Sequence, residues 1–250
     1  MGKVDTYKDI LKGLYDWDQY LLKESGLPGP RANLELLEAV VEVGNEDTFT
    51  RYAKTFDSEK APTNSPKEFL AMCGVAGFGK LIFVGKIEYF KNLRSYAKDI
   101  RWRIREGVVI ALQHLGESNI DLLINEMTVW SKGNLLERRA VVAALCEPKL
   151  LIHNETAQKT LKIIDNLTME LLDVSDRKAE NFKILRKALG YGWSVAVVAA
   201  PEKGKSLMEK WFSDGDKDIR WIMKENLRKA RLTRMDKNWT IKWKQELGVK

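Results

Sequence analysis

The side chains best suited to chemistry are few. His114 and His153 are the only histidines and Cys73 and Cys146 the only cysteines, and no two of these stand at metal-ligand spacing. No metal site is expected. Both cysteines lie in apolar runs and read as buried free thiols rather than a disulfide framework. Gly74, Gly77 and Gly79 sit inside an apolar helical stretch, whereas a dinucleotide fingerprint needs a preceding strand. Neither a Walker-type phosphate loop nor a nucleophile elbow is present. Chemistry that depends on a bound cofactor is therefore not expected.

What remains is a set of aromatic rings and ions. Trp102 and Glu106 are four residues apart and share one helix face. Arg138 and Arg139 follow downstream, then Arg186, Lys187 and Tyr191. The same spacing recurs at Trp221 and Glu225, so a shared packing role is the simpler reading. Arg101, Arg103, Arg105, Arg138, Arg139, Arg186 and Arg220 could hold anions. Near the C-terminus Arg228, Lys229, Arg231 and Arg234 are followed by Trp239 and Trp243. Bases interleaved with aromatics bind nucleic acid by charge and stacking, while a terminal Trp pair can equally close a stack of helices.

These residues belong to a repeat. Residues 98–106 (KDIRWRIRE) and 217–225 (KDIRWIMKE) nearly copy each other, 119 residues apart. That distance is about three repeats of about 40 residues. Between them, residues 105–112 (REGVVIAL) align with 138–145 (RRAVVAAL), and a further copy begins at Arg186. In each copy a small residue (Gly107, Ala140, Ala188) precedes another by four positions (Ala111, Ala144, Gly192), which puts both on one face for close helix packing. Gly44, Gly79 and Gly116 each follow an apolar residue and read as helix stops. Residues 26–30 break the first helical segment, with Pro30 placed to open the next. Residues 57–66 (DSEKAPTNSP) are the clear loop, and residues 173–176 and 213–216 read as polar turns. Strand alternation is absent.

A helical period of this length resembles the HEAT and armadillo repeats. Asp99 with Arg105, and Asp218 with Lys224, resemble the HEAT pattern of an acid opening the second helix and a base six residues later. In that family the pair forms a ladder between adjacent repeats, so the resemblance implies ladder roles for Asp99, Arg105, Arg138, Asp218 and Lys224. In repeat order the chain also resembles the bacterial HEAT-like alkylpurine DNA glycosylases. That resemblance implies a base-cradling set of Trp102, Arg138, Arg139 and Tyr191, with Glu106 as the catalytic acid. The chain departs from the family pattern in carrying Glu for Asp and Tyr for Trp.

Apolar residues make up 44% of the chain and charged residues 31%, enough for a full core with one wet face on most helices. No stretch is apolar enough to span a bilayer. Asp5, Asp9, Asp16 and Asp18 interrupt the region where a secretory signal would lie, so the expected location is cytoplasmic. The net charge of +7 is uneven. Residues 1–98 carry 14 basic and 14 acidic side chains, residues 99–176 carry 9 and 12, and residues 177–250 carry 19 and 9. The basic C-terminal third should attract anionic partners.

The expectation is one all-α domain over residues 1–250, a right-handed α-solenoid of about five to six HEAT-like hairpins. An N-terminal cap would cover about residues 1–30 and a basic C-terminal cap about residues 232–250. The expected function is non-enzymatic: a concave, partly basic surface that binds a macromolecule, either an acidic protein or nucleic acid, with no cofactor, metal or membrane. Arg101, Trp102, Arg139, Tyr191, Trp193, Arg220, Trp221, Arg228 and Arg231 are the expected partner-facing residues. The apolar stripe at residues 195–200, beside Trp193, reads as core. The alternative is a DNA-binding or DNA-repair protein of the glycosylase type, acting through Glu106. Oligomeric state is left open.

Overall fold

A computed structural model describes residues 2–249. All regular structure among the described residues is helical, and none of these helices is long and apolar enough to cross a membrane. The chain divides into two compact units, Met1–Ser118 and Asn119–Lys250.

The first unit holds α1 (Lys3–Gly13), α2 (Asp18–Glu24), α3 (Leu34–Val43), α4 (Glu46–Thr55), α5 (Pro66–Phe83), α6 (Tyr89–Tyr96) and α7 (Trp102–Ser118). Local chemistry sets several helix starts. The side chains of Asn33, Asn45 and Ser65 accept hydrogen bonds from the backbone N–H groups of Leu36, Thr48 and Glu68, satisfying donors that the first turn leaves open. Pro66 takes the first position of α5, where a missing N–H costs nothing.

Helix α5 organises this unit. Fourteen of its eighteen residues are buried, so it has no polar face and must be enclosed by its neighbours. Helices α4 and α7 supply most of the enclosure, with α2, α3 and α6 completing it. The approach is close. A β-carbon at Gly79 would stand 2.3 Å from the Ala111 carbonyl oxygen of α7, and one at Gly74 would stand 2.5 Å from the Ala53 nitrogen of α4. Lys80, on the same helix, sends its Nζ to the carbonyls of Glu42 and Gly44 at 2.7 and 3.0 Å, tying α5 to the end of α3.

The second unit holds α8 (Ile120–Trp130), α9 (Leu135–Leu145), a 3₁₀ turn (Pro148–Leu150), α10 (Asn154–Glu170), α11 (Glu180–Ala199), α12 (Pro201–Phe212), α13 (Lys217–Leu227), α14 (Ala230–Met235) and α15 (Lys237–Leu247). Helix α11 is central, packed by α9, α10, α12, α13 and α14. Here polar stitches accompany the apolar packing. Buried Trp193 donates its indole N–H to Thr168 Oγ1 of α10 at 2.9 Å. Buried Asn226 of α13 accepts from the Ser194 N–H at 2.8 Å and donates to the Leu189 carbonyl at 2.9 Å. In both units helices also pack on the second helix along: α1 on α3, α3 on α5 and α5 on α7; then α9 on α11, α11 on α13 and α13 on α15, with α8 on α10 and α10 on α12.

Some local expectations need correction. Gly44 does end α3, its N–H donating to Val40 at 2.8 Å. Gly79 and Gly116 are not stops; they lie inside α5 and α7. Gly79 is there because the backbone of α7 occupies the place of its side chain. Pro30 does not open the next helix, since α3 begins at Leu34 behind the Asn33 cap. The two KDIRW copies also start their helices differently. Helix α13 begins at Lys217, whereas α7 begins four residues later in the motif, at Trp102.

Gly79→Ala should force α5 and α7 apart and cost about 2 kcal/mol of stability. Gly13→Ala is the control, because its β-carbon would meet nothing within 4 Å. That variant should be neutral or up to about 1 kcal/mol more stable. Urea denaturation of both checks the claim, and a Gly79→Ala midpoint equal to wild type would remove it.

Candidate functional site

The duplicated motif does different work in its two copies. In the first, Asp99 pairs with Arg101, which reaches it through Nε at 2.9 Å and Nη2 at 2.8 Å. Nη1 of Arg101 donates to the carbonyls of Phe56, Asp57 and Ala61 at 3.0, 3.2 and 3.0 Å. Arg101 is only 2% exposed. It pins the loop of residues 57–66 and is not a partner-facing residue as expected. Arg103 is also buried, between Glu68 at 3.3 Å, the Gly29 carbonyl at 2.8 Å and the Trp102 ring at 4.6 Å. Arg105 donates to the carbonyls of Asp99 and Ile100 at 2.6 and 3.0 Å, so it caps its own turn. The Asp99 carboxylate bonds within that turn as well, to the Arg101 side chain and to its backbone N–H.

In the second copy the acid does reach across helices. Asp218, buried at the start of α13, accepts from Arg186 of α11 and from Arg177 at 3.3 Å. Its bases therefore lie upstream, and Lys224 is not among them. Arg177 also pairs with Asp216, which caps α13 by accepting from the N–H groups of Asp218 and Ile219 at 2.8 and 3.2 Å. Burial works against the Asp216 carboxylate, yet the Arg177 bond and those two N–H groups hold its pKa below the ordinary value. Arg138 pairs with Glu170 at 3.0 Å. Arg220, two residues after Asp218 as Arg101 is after Asp99, is exposed.

Three of the aromatic rings singled out in the sequence's repeat copies carry a guanidinium on one face: Trp102 under Arg103, Trp221 under Arg186 at 4.5 Å and Tyr191 under Arg231 at 4.6 Å. Arg231 also donates to the Tyr191 hydroxyl at 3.2 Å. Trp102 is 46% exposed and Tyr191 42%. Arg228 is paired with Glu225 three residues back, and Arg139 is half-buried. Trp193 is fully buried against Thr168, so its place in the partner-facing set is corrected too. The residues of the base-cradling set are divided between the units: Trp102 and Glu106 in the first, Arg138, Arg139 and Tyr191 in the second. Trp239 and Trp243 pack tilted against Phe212 of α12, at 5.8 and 4.5 Å between centroids, and both donate to Glu209.

The second unit contains an open groove of about 500 Å³. Pro148, Leu151, Val195, Val198 and Ala199 form its apolar floor, and Lys229, Arg231 and Arg234 stand around it beside Ala230. No carboxylate among the described residues lines it. Val198 is 37% exposed, so part of the stripe read as core faces this space. Cys146 lies near Arg231, but burial still pushes its thiol pKa up to about 12. No carboxylate pairs with Lys229, Arg231 or Arg234 among the described residues, in contrast to Arg177, Arg186, Lys205 and Arg228 of the same unit.

No known protein family matches the chain, and no curated protein matches it. Among solved structures, the crystal structure of an engineered protein aligns over 94% of this chain and 98% of its own, at 14% identity and a TM-score of 0.37. A likeness that slight does not define a shared fold, and the site must be read from its own geometry. Lys229 and Arg234 stand outside the partner-facing set expected from the sequence. Their signal is modest: Arg231 and Arg234 stand at i and i+3, a spacing that puts both on one face of α14. The floor is hidden in the sequence because a groove lined by valine and alanine has the composition of a core.

The two arginines of the shared DIRW string should respond oppositely to the same change. Arg101→Gln should cost about 3 kcal/mol, since buried carbonyls and Asp99 lose their partner. Arg220→Gln should stay within about 0.5 kcal/mol of wild type. Equal denaturation midpoints for the two variants would contradict the assignment. Asp216→Asn tests the ion pair while keeping the helix cap. A carboxylate with a depressed folded pKa stabilises above its unfolded value of about 4 and loses that contribution as pH falls through the folded value. The variant should therefore be less stable than wild type at neutral pH, and the gap should close in acid. Melting curves across pH report it, and a gap that persists unchanged in acid would exclude the pair as its cause.

Proposed function

We propose that this chain is a non-enzymatic helical-repeat binding protein whose second unit holds an anionic macromolecular partner in its basic groove. In this reading the helices form a right-handed α-solenoid of five to six HEAT-like hairpins, acting in the cytoplasm. The packing of several helices on the second helix along, α3 on α5 and α5 on α7 or α9 on α11 and α11 on α13, supports the repeat arrangement, because stacked hairpins bury their faces only against their neighbours. Close approach at small residues, such as Gly79 against Ala111, supports it further.

The observation that carries the functional reading is the unneutralised rim: three cations without a carboxylate partner around an apolar floor. The charge of the unit agrees with it. Residues 119–250 carry 25 basic and 18 acidic side chains, while residues 1–118 carry 17 of each, so the net charge of +7 belongs to the second unit. Such a field draws in anionic partners and speeds their encounter.

A glycosylase reading draws on the partial exposure of Trp102 and Tyr191. Against it, each ring already carries a guanidinium. A cationic base laid on the other face would share the same quadrupole with a positive neighbour, which weakens the attraction such a site needs.

The test is a salt series of binding to labelled polyglutamate and duplex DNA. Wild type should bind at low salt. Lys229→Gln, Arg231→Gln and Arg234→Gln together should weaken binding and flatten the salt slope on DNA by about 0.9 for each phosphate that is no longer neutralised. Excision of alkylated purines should not exceed a blank. No binding to either polyanion at low salt would refute the proposal, and excision abolished by Glu106→Gln would replace it with the glycosylase reading.

A further inference from the structure

We infer that the groove of the second unit takes an acidic peptide segment bearing apolar side chains. This rests on the anionic-partner reading above and narrows it to one chemistry. The floor decides between peptide and nucleic acid. Single-stranded bases bind by stacking on aromatic faces, and among the described residues the floor offers Pro148, Leu151, Val195, Val198 and Ala199 but no aromatic ring. The ring that touches the rim is Tyr191, and Arg231 already lies on it. A duplex would meet the rim with its phosphates but carries no flexible aliphatic side chains to fill the apolar floor. A peptide supplies both parts: aliphatic side chains for the floor and carboxylates for the rim.

The rim is built for carboxylates. Arg231 and Arg234 carry planar guanidinium forks that match a carboxylate through two parallel hydrogen bonds. Arg231 is held in place by the Tyr191 ring and hydroxyl, so little side-chain freedom remains to be lost on binding. Among the described residues no carboxylate lines the groove to oppose an incoming acid. Partly exposed Val198 at the floor offers the apolar surface that a purely electrostatic site would not contain.

The experiment uses the full chain and fluorescence anisotropy at low salt. One labelled peptide alternates Leu with Glu and Asp; a second replaces every Leu with Ser at the same charge; a duplex oligonucleotide is the third probe. The Leu peptide should bind at least about tenfold tighter than the Ser peptide. Val198→Lys is the discriminating variant, because it adds a positive charge while removing apolar surface from the floor. It should weaken the Leu peptide by about tenfold and leave the Ser peptide unchanged or slightly tighter. Val198→Gln provides the same readout if the lysine variant does not melt like wild type. Arg231→Gln with Arg234→Gln should weaken both peptides. Equal binding of the two peptides, an unaffected Val198→Lys, or a duplex that outbinds the Leu peptide and displaces it would overturn the inference and leave the anionic-partner reading standing. If no probe binds, both fall.

Discussion

The backbone of α7 lies so near α5 that a methyl group at Gly79 would collide with the Ala111 carbonyl. Much of the first unit follows from this approach. Helix α5 is apolar around its circumference and cannot rest on a surface; it has to be enclosed, and glycine where its neighbours touch it lets them come close enough to exclude water. Enclosure raises a second demand. The ends of neighbouring helices and the loop before α5 expose carbonyls close to a dry core, and buried acceptors need donors. Arg101 supplies them for the loop, while Lys80 bonds the more exposed end of α3. Helix α11 answers the same demand differently: Asn226 and Trp193 bond across helices there.

Arginine is the recurring solution, and its chemistry explains why. A flat guanidinium can present its edge to carbonyls or a carboxylate while its face covers an aromatic ring. Arg103 and Arg186 both do this, spanning an acid and a Trp at once. Part of the positive charge counted in the sequence, at Arg101, Arg103 and Arg186, is therefore internal reinforcement. The charge available to a partner is smaller and more local than composition indicates, which is why the three cations at the groove matter more than the overall excess.

The helical class was legible because small and apolar residues recur at helical spacing, as at Gly107 and Ala111, and that spacing acts locally. The small-residue pattern also pointed correctly to close packing, as Ala111 shows. The role of Gly79 was not legible, because a glycine after an apolar run ends a helix or admits a neighbour depending on what lies opposite. Site residues were harder. Trp193 and Arg101 are polar or amphipathic, types that mark surfaces on average, yet each is buried because a distant partner satisfies it: Thr168, 25 positions away, and the carbonyls of Phe56 to Ala61, some 40 to 45 positions away. The groove was invisible for the opposite reason. Its floor is aliphatic, and nothing local distinguishes a valine that faces a cleft from one that faces a helix.

The different helix starts of the two KDIRW copies bear on how such proteins should be compared and redesigned. Aligning repeats and averaging their columns assumes that equal positions have equal neighbours. In this chain the same arginine column holds one side chain fastened inside a loop and another facing solvent. A consensus built from both would assign that column a single tolerance, too permissive for the first copy and too strict for the second. Substitution profiles for repeats of this kind belong to individual positions in the chain, weighted by the start of each helix, and a graft of one repeat onto another should carry along the loop its arginine fastens.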